Sequence, residues 1–297
     1  MDLADEFGLA IISADSRQIY RGFDIGTAKP TEAERERVPH FGIDIIDPTE
    51  RYSAHRWATD VVAWSDVARA KGREPLIVGG TGFYIRALVQ PLDHGPTLDP
   101  DRRAALERWL ESLEGSEVER WCRRLDADRA SLGRTQHVRA IETALLSGTT
   151  LSAAHRAAHR AASPASERMI GAGPMPARYL IVDPGTALAP RISARVRSMV
   201  ASGWVDEVRA LRRGVAPDAP AWKASGYGAI GDAVDGRCAV EAAVERVIIE
   251  TRQYAKRQRT WNRHQCPSAF VTVIDSTASD ARERARAWFT SHDGPAL

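Results

Sequence analysis

Asp15 and Ser16 follow the apolar run Leu9-Ala10-Ile11-Ile12-Ser13. A carboxylate just past the C-terminal end of a buried strand is placed to take a proton or to hold a metal-bound phosphate. The same dipeptide is also a common loop cap. Arg17, Gln18 and Tyr20 add hydrogen-bond donors and an aromatic face. Gly79-Gly80-Thr81-Gly82 follows a second apolar run, Pro75-Leu76-Ile77-Val78. Its free backbone N–H groups and hydroxyl suit an anion cradle. Its glycine spacing is not a dinucleotide fingerprint, and a bare glycine turn reads equally well.

Two basic patterns lie further along. Arg191 and Arg195 are four apart and share a helix face, where they either clamp phosphate oxygens or stand solvated. Arg252, Lys256, Arg259 and Arg263 step by four, three and four along one face of a long helix. Such a stripe suits a polyanion backbone, a solvated face being the plainer reading. Arg257 lies off the stripe, and a neighbouring face carrying Val244, Val247, Thr251, Tyr254, Gln258 and Trp261 is free to dock on a sheet.

The elements that must position these groups alternate strand and helix. Strands are expected at 9–13, 43–46 and 75–78, with an amphipathic helix at 53–70 capped by Ser53. Apolar strands separated by helices argue for a parallel sheet covered by helices. After Pro91 the chain turns helical and arginine-rich, without a convincing strand until Tyr179-Leu180-Ile181-Val182. The remainder reads as a helix at 188–213 interrupted near Gly203, a loop to 228, a long helix at 240–263, a strand at 270–274 and a helix at 278–289. The expected division is 1–94 as the first part of an α/β core, 95–150 as a helical insertion, 151–178 as a loop or hinge, and 179–297 as the second part of the core.

Composition excludes several classes. The 297 residues are 43% hydrophobic and 27% charged, ordinary for a globular protein. Of 41 basic residues four are lysines and 37 arginines, so the charge of +2 hides an arginine bias. Cys122, Cys238 and Cys266 have neither disulfide-framework nor zinc-ligand spacing. No run approaches 18 apolar residues, and the acidic start is unlike a signal peptide, so a cytoplasmic protein with no membrane span is expected.

Taken together, four stretches resemble the tRNA dimethylallyltransferases, or tRNA isopentenyltransferases. They are Ile11-Ile12-Ser13-Ala14-Asp15-Ser16-Arg17-Gln18-Ile19-Tyr20, Asp24-Ile25-Gly26-Thr27-Ala28-Lys29-Pro30, Val78-Gly79-Gly80-Thr81-Gly82-Phe83-Tyr84 and Thr251-Arg252-Gln253-Tyr254-Ala255-Lys256-Arg257-Gln258. The resemblance runs in the same order over nearly the whole chain. It implies a P-loop kinase-like α/β core with a parallel sheet, a helical insertion that grips the tRNA anticodon stem-loop, and a channel where dimethylallyl diphosphate meets a flipped adenine. The implied reaction is attack of N6 of adenosine 37 on the allylic carbon, with diphosphate leaving. Asp15 then resembles the general base, and Thr81 the hydroxyl that contacts the diphosphate. Arg195 is similar to the diphosphate-binding arginine, with Arg191 a weaker companion.

For tRNA contact the resemblance points to several segments. They are Asp15, Ser16, Arg17 and Gln18; Arg103 after the Asp99-Pro100 turn; and Thr135, Gln136, His137, Val138 and Arg139. A last segment is Lys223, Ala224, Ser225, Gly226, Tyr227 and Gly228. Arg252 and Lys256 of the basic stripe complete the set. Mg²⁺ is the implied cofactor and a monomer the implied state. The chain also departs from the pattern. The family opens with a strand and a Gly-Pro-Thr-x-x-Gly-Lys-[Ser/Thr] P-loop ahead of the Asp15 motif, and neither is present in these 297 residues. A shortened start accounts for this, and so does an inactive RNA-binding relative. Leu132-Gly133, Gln136, Gly228 and Asn262 also differ from the family's residues, which implies reduced tRNA affinity. An adenylate isopentenyltransferase is the nearest other enzyme, but a free nucleotide needs neither the insertion nor the basic stripe. A P-loop kinase is disfavoured because the Asp15-Ser16 and 251–258 motifs are not generic to phosphoryl transfer.

Overall fold

A strand covered on both faces needs an unbroken apolar run, and Leu9–Ser13 forms one, β1, buried along its whole length. The computed structural model describes residues 1–89, 96, 98–161, 177–266 and 270–291. The chain divides into two compact units, Met1–Gln90 with Gly173–Leu297, and Pro91–Ala172.

In the first unit, α1 (Asp2–Glu6) leads into β1. Next come α2 (Glu32–Arg37), β2 (His40–Phe41), α3 (Ala54–Ala70), β3 (Glu74–Val78) and α4 (Gly82–Val89). β1 pairs in parallel with both neighbours, giving the order β2-β1-β3. Ser53 caps α3 by accepting from the Arg56 N–H, as its sequence predicts. Trp57 on α3 is fully buried, donates Nε1–H to the Ser13 carbonyl at 2.9 Å and stacks on Tyr84 at 5.0 Å. Helix and strand are thereby locked together two residues before Asp15.

The strand expected at 43–46 is instead the short β2. Gly42 and Asp44 take φ of 75° and 56°, which breaks extended backbone. Asp44 is held there by ion pairs to Lys29 and Arg35. Ile46 keeps an isolated bridge to Tyr20.

The regular elements among the second unit's described residues are helices, with α5 (Pro100–Glu111), α6 (Gly115–Leu125), α7 (Arg134–Ser147) and α8 (Leu151–Ala161). Leu110, Val118, Cys122, Ala140 and Ile141 form a small core among α5, α6 and α7. Here the expected loop or hinge from 151 is corrected. Residues 151–161 are helical, because buried Asp126 accepts the Ser152 N–H at 2.9 Å and Thr150 accepts the Ala153 N–H. A cap supplied from 26 residues away leaves no local signal. Residues 162–176 of that expected loop lie outside the described residues.

The first unit then resumes with β4 (Tyr179–Asp183), α9 (Leu188–Ala201), α10 (Trp204–Leu211), α11 (Tyr227–Val234), α12 (Val240–Gln265), β5 (Val271–Asp275) and α13 (Ala281–Thr290). β4 and β5 pair in parallel as a separate two-stranded sheet. The expected interruption is Gly203, whose φ of 99° separates α9 from α10. α11 is a helix where a loop followed by unassigned chain is expected. Burial of Tyr227, Ala229 and Ile230 against Phe23, Trp204 and Val247 outweighs its glycines. Among the described residues no helix is long and apolar enough to cross a membrane.

Candidate active site

The two sequence signals for chemistry meet where β1 and β3 end. Ala14 donates its N–H to the Val78 carbonyl at 2.8 Å, and Thr81 donates its N–H back to the Ala14 carbonyl at 3.0 Å. The ladder thus continues past both strands and brings their outgoing turns together. Gly79 is required here, because a Cβ would overlap the Ala14 backbone. The Ser16 N–H then reaches the Thr81 hydroxyl at 3.1 Å, and the Arg17 N–H reaches Asp15 Oδ1 at 2.8 Å.

α12 closes the other side. Its Gln258 donates to the Gly80 carbonyl at 3.0 Å, and the Tyr254 hydroxyl does so at 3.4 Å. Trp261 lies where a Cβ on Gly82 would stand. The Tyr254–Gln258–Trp261 face therefore docks on the glycine turn, as its spacing suggests. Partial burial and the Asp15 charge push the Tyr254 phenol above its ordinary value, so it stays protonated and able to donate.

These residues surround a cavity of about 870 Å³. Asp15, Ser16, Arg17 and Thr81 line it together with Arg195 of α9 and with Lys223, Ala224 and Ser225. Ile192, Val196, Trp204 and Val247 give it an apolar floor. A carboxylate, a hydroxyl and a guanidinium over an apolar floor can seat a diphosphate beside a short hydrocarbon and accept a proton.

Other expected residues lie elsewhere. Arg191, although four residues from Arg195, donates to the Ser276 hydroxyl at 2.9 Å. Arg252 donates to the Ser193 hydroxyl at 3.1 Å, and Lys256 is exposed. Arg259 of the same stripe is bound to Asp183 and to the Gly185 carbonyl. That guanidinium, with the Gly185 N–H, holds the Asp183 carboxyl below the usual range. Gln18 Nε2 donates to the Thr27 and Ala28 carbonyls, both at 3.2 Å. Gly226 and Tyr227 are buried and Gly228 is exposed. In the second unit, Arg103 pairs with Glu142 at 3.1 Å and Glu107 at 3.4 Å. There Thr135, Gln136 and Arg139 are exposed and Val138 half-buried, while His137 is buried against the Ala130 carbonyl.

Sequence reasoning overlooked two groups. Arg257, set aside as off the stripe, lines the cavity and lies 5.8 Å from the Tyr254 ring centre. Glu207 carried no signal in the sequence, yet it holds the loop that forms one cavity wall.

Residues 18–265 match the family described as IPP transferase. The chain belongs to that family. Among IPP transferase relatives, it is 42% identical to a tRNA dimethylallyltransferase of Halorhodospira halophila, over 93% of this chain and 88% of that one. It is 40% identical to another from Bordetella petrii, with the same coverage of each chain. The structure is similar to a tRNA delta(2)-isopentenylpyrophosphate transferase from Staphylococcus epidermidis, with a TM-score of 0.65, 27% identity, and 97% of this chain and 92% of that one covered. A eukaryotic dimethylallyltransferase acting on tRNA shares the fold, with a TM-score of 0.72 at 23% identity over 96% of this chain and 72% of that one.

Proposed function

We propose that this protein transfers a dimethylallyl group from dimethylallyl diphosphate to N6 of adenosine 37 in the tRNA anticodon loop, releasing diphosphate. The observation that carries the reading is the meeting of Asp15 and Thr81 at one cavity with Arg195 on its wall, in a member of the IPP transferase family.

The N6 lone pair attacks the allylic carbon as the carbon–oxygen bond to diphosphate breaks. The proton released from N6 goes to the Asp15 carboxylate, oriented by the Arg17 N–H. Negative charge gathers on the departing diphosphate, where Arg195 and the Thr81 hydroxyl supply a guanidinium and a hydrogen bond. The floor of Ile192, Val196 and Val247 receives the hydrocarbon and excludes water from the allylic centre. Outside the cavity, the exposed Arg139, Arg252 and Lys256 are assigned to tRNA phosphates, and Arg103 to the same role from its ion-pair cluster.

Mg²⁺ is the proposed cofactor. No group of three or more acidic, histidine or cysteine side chains gathers among the described residues. An Mg²⁺ ion with few protein ligands is held mainly by waters and substrate phosphates. The Ser16 and Thr81 hydroxyls are the donors that fit, with Asp15 kept for the N6 proton, and the ion would neutralise charge on the leaving diphosphate. We further assign a soluble cytoplasmic monomer.

The test is transfer of labelled dimethylallyl from the diphosphate to unmodified tRNA, with the modified nucleoside mapped. Label on adenosine 37 supports the reading. Label on AMP instead of tRNA makes the chain an adenylate isopentenyltransferase. Binding of tRNA without transfer makes it an RNA-binding relative.

A further inference from the structure

Glu207 lies on α10 and faces the loop that carries Gly26 and Thr27. Its Oε2 accepts the Asp24 N–H at 2.9 Å and the Ile25 N–H at 2.7 Å, and Oε1 lies 3.5 Å from the Gly26 N–H. Successive backbone N–H groups converging on one anion form a nest. Here the nest is filled by the protein's own carboxylate, so the loop is shaped from within.

The same Oε1 accepts the Tyr227 hydroxyl at 2.6 Å. Tyr227 is fully buried and stands two residues beyond Ser225. One carboxylate therefore ties two cavity-lining segments together, residues 26–27 and 223–225. Trp204, one turn before Glu207, presses on Gly26 so closely that a Cβ there would overlap its indole. The loop in turn carries Gln18, whose amide donates to the Thr27 and Ala28 carbonyls.

We infer that Glu207 is a positioning residue for the nucleic-acid side of the reaction. It touches no reacting atom. It sets the wall formed by 26–27 and 223–225, and through Thr27 the Gln18 side chain, in the arrangement that seats the acceptor RNA. This rests on the transfer reading above and on the family resemblance that makes Gln18 and 223–228 candidates for tRNA contact, of which 223–225 line the cavity. Replacing the carboxylate with an amide turns one acceptor into a donor aimed at N–H groups. Removing it leaves a nest that a small carboxylate can refill.

The experiment compares the full chain with Glu207→Gln, Glu207→Asp, Glu207→Ala and Tyr227→Phe. It reads kcat, KM for tRNA, melting temperature and amide exchange at 24–26. Glu207→Gln is expected to raise KM for tRNA at least about tenfold, the size of a charge-assisted hydrogen bond. Its kcat should stay within about threefold, the mark of lost binding rather than lost chemistry. Exchange at 24–26 should quicken while the melting temperature holds. Glu207→Asp falls between, and added formate restores part of the Glu207→Ala loss. A folded Glu207→Gln with unchanged KM and exchange overturns the inference, and so does Glu207→Ala indifferent to formate. Should Glu207→Gln not fold, Tyr227→Phe decides: a raised KM supports the role, and an unchanged one removes it. Should the unaltered chain transfer nothing, the transfer reading has failed. Exchange at 24–26 and the affinity for an anticodon stem-loop RNA then decide the role of Glu207 by the same comparison.

Discussion

The backbone N–H of Ser16 donates to the Thr81 hydroxyl at 3.1 Å, joining two turns that are 65 residues apart in the chain. Thr81 is thus both a cavity-lining group and the clip between the β1 and β3 turns. Thr81→Val keeps the shape and removes the acceptor, leaving the Ser16 N–H without it. We expect turnover to fall by about five- to tenfold, the equivalent of one lost hydrogen bond of ~1–1.5 kcal/mol. Thr81→Ser should recover most of it. Steady-state transfer assays on both variants check this, and a Thr81→Val chain as active as the unaltered one would remove the hydroxyl from that role.

Asp15→Asn separates charge from geometry, because an asparagine oxygen can still accept the Arg17 N–H seen at 2.8 Å. A general base contributes about 10²–10⁴-fold, so turnover should drop within that range while tRNA affinity is nearly kept. Single-turnover transfer alongside tRNA binding makes the comparison. An unchanged rate would remove Asp15 from the role of base.

The two glycines before Thr81 should respond differently to alanine. A Cβ at Gly79 meets the Ala14 backbone, whereas one at Gly80 meets the Gln258 side chain, which can swing away. Gly79→Ala is therefore expected to cost about 1–3 kcal/mol of stability and most of the activity, and Gly80→Ala clearly less. Denaturant unfolding with activity at matched folded fraction tests the order, and the reverse order would show that Ala14 can move.

Glu142 in the second unit offers a pH test. Its side chain is 2% exposed, Oε2 is bound by Arg103 at 3.1 Å, and Oε1 is buried without a partner. Burial outweighs Arg103 and raises the carboxyl above its ordinary value. The folded state then binds the proton more tightly than the unfolded chain does. Stability is lost as pH climbs from the unfolded value, about 4.3, through the raised folded one. Glu142→Gln should accordingly melt higher than the unaltered chain at pH 7.5, with the gap closing toward pH 4. A lower melting temperature at pH 7.5 would mean that the Arg103 attraction dominates.

Much of this was legible from local pattern. The continuous apolar runs at 9–13, 75–78 and 179–182 became β1, β3 and β4; β1 is buried along its whole length, whereas β3 and β4 are only partly covered. Ser53 capped α3, since a cap acts over three residues. The stretches 11–20, 24–30, 78–84 and 251–258 carried the family resemblance, and the match over residues 18–265 agrees with it.

What the sequence by itself determined, then, is the set of elements whose causes lie within a few residues, together with the chemical types at the site. The tertiary structure decided the rest. It halted the second strand at Phe41 through the Lys29 and Arg35 grip on Asp44. It started α8 from Asp126, separated Arg195 from Arg191, and drew Arg257 to the cavity. It gave Glu207 its partners from residues 24–26, more than 180 positions earlier. The reason is common to all of these. An ion pair, a cap or a nest formed across the fold satisfies a charge or a backbone N–H that its own neighbours leave open, and such partners are chosen by proximity in space, which no local periodicity encodes.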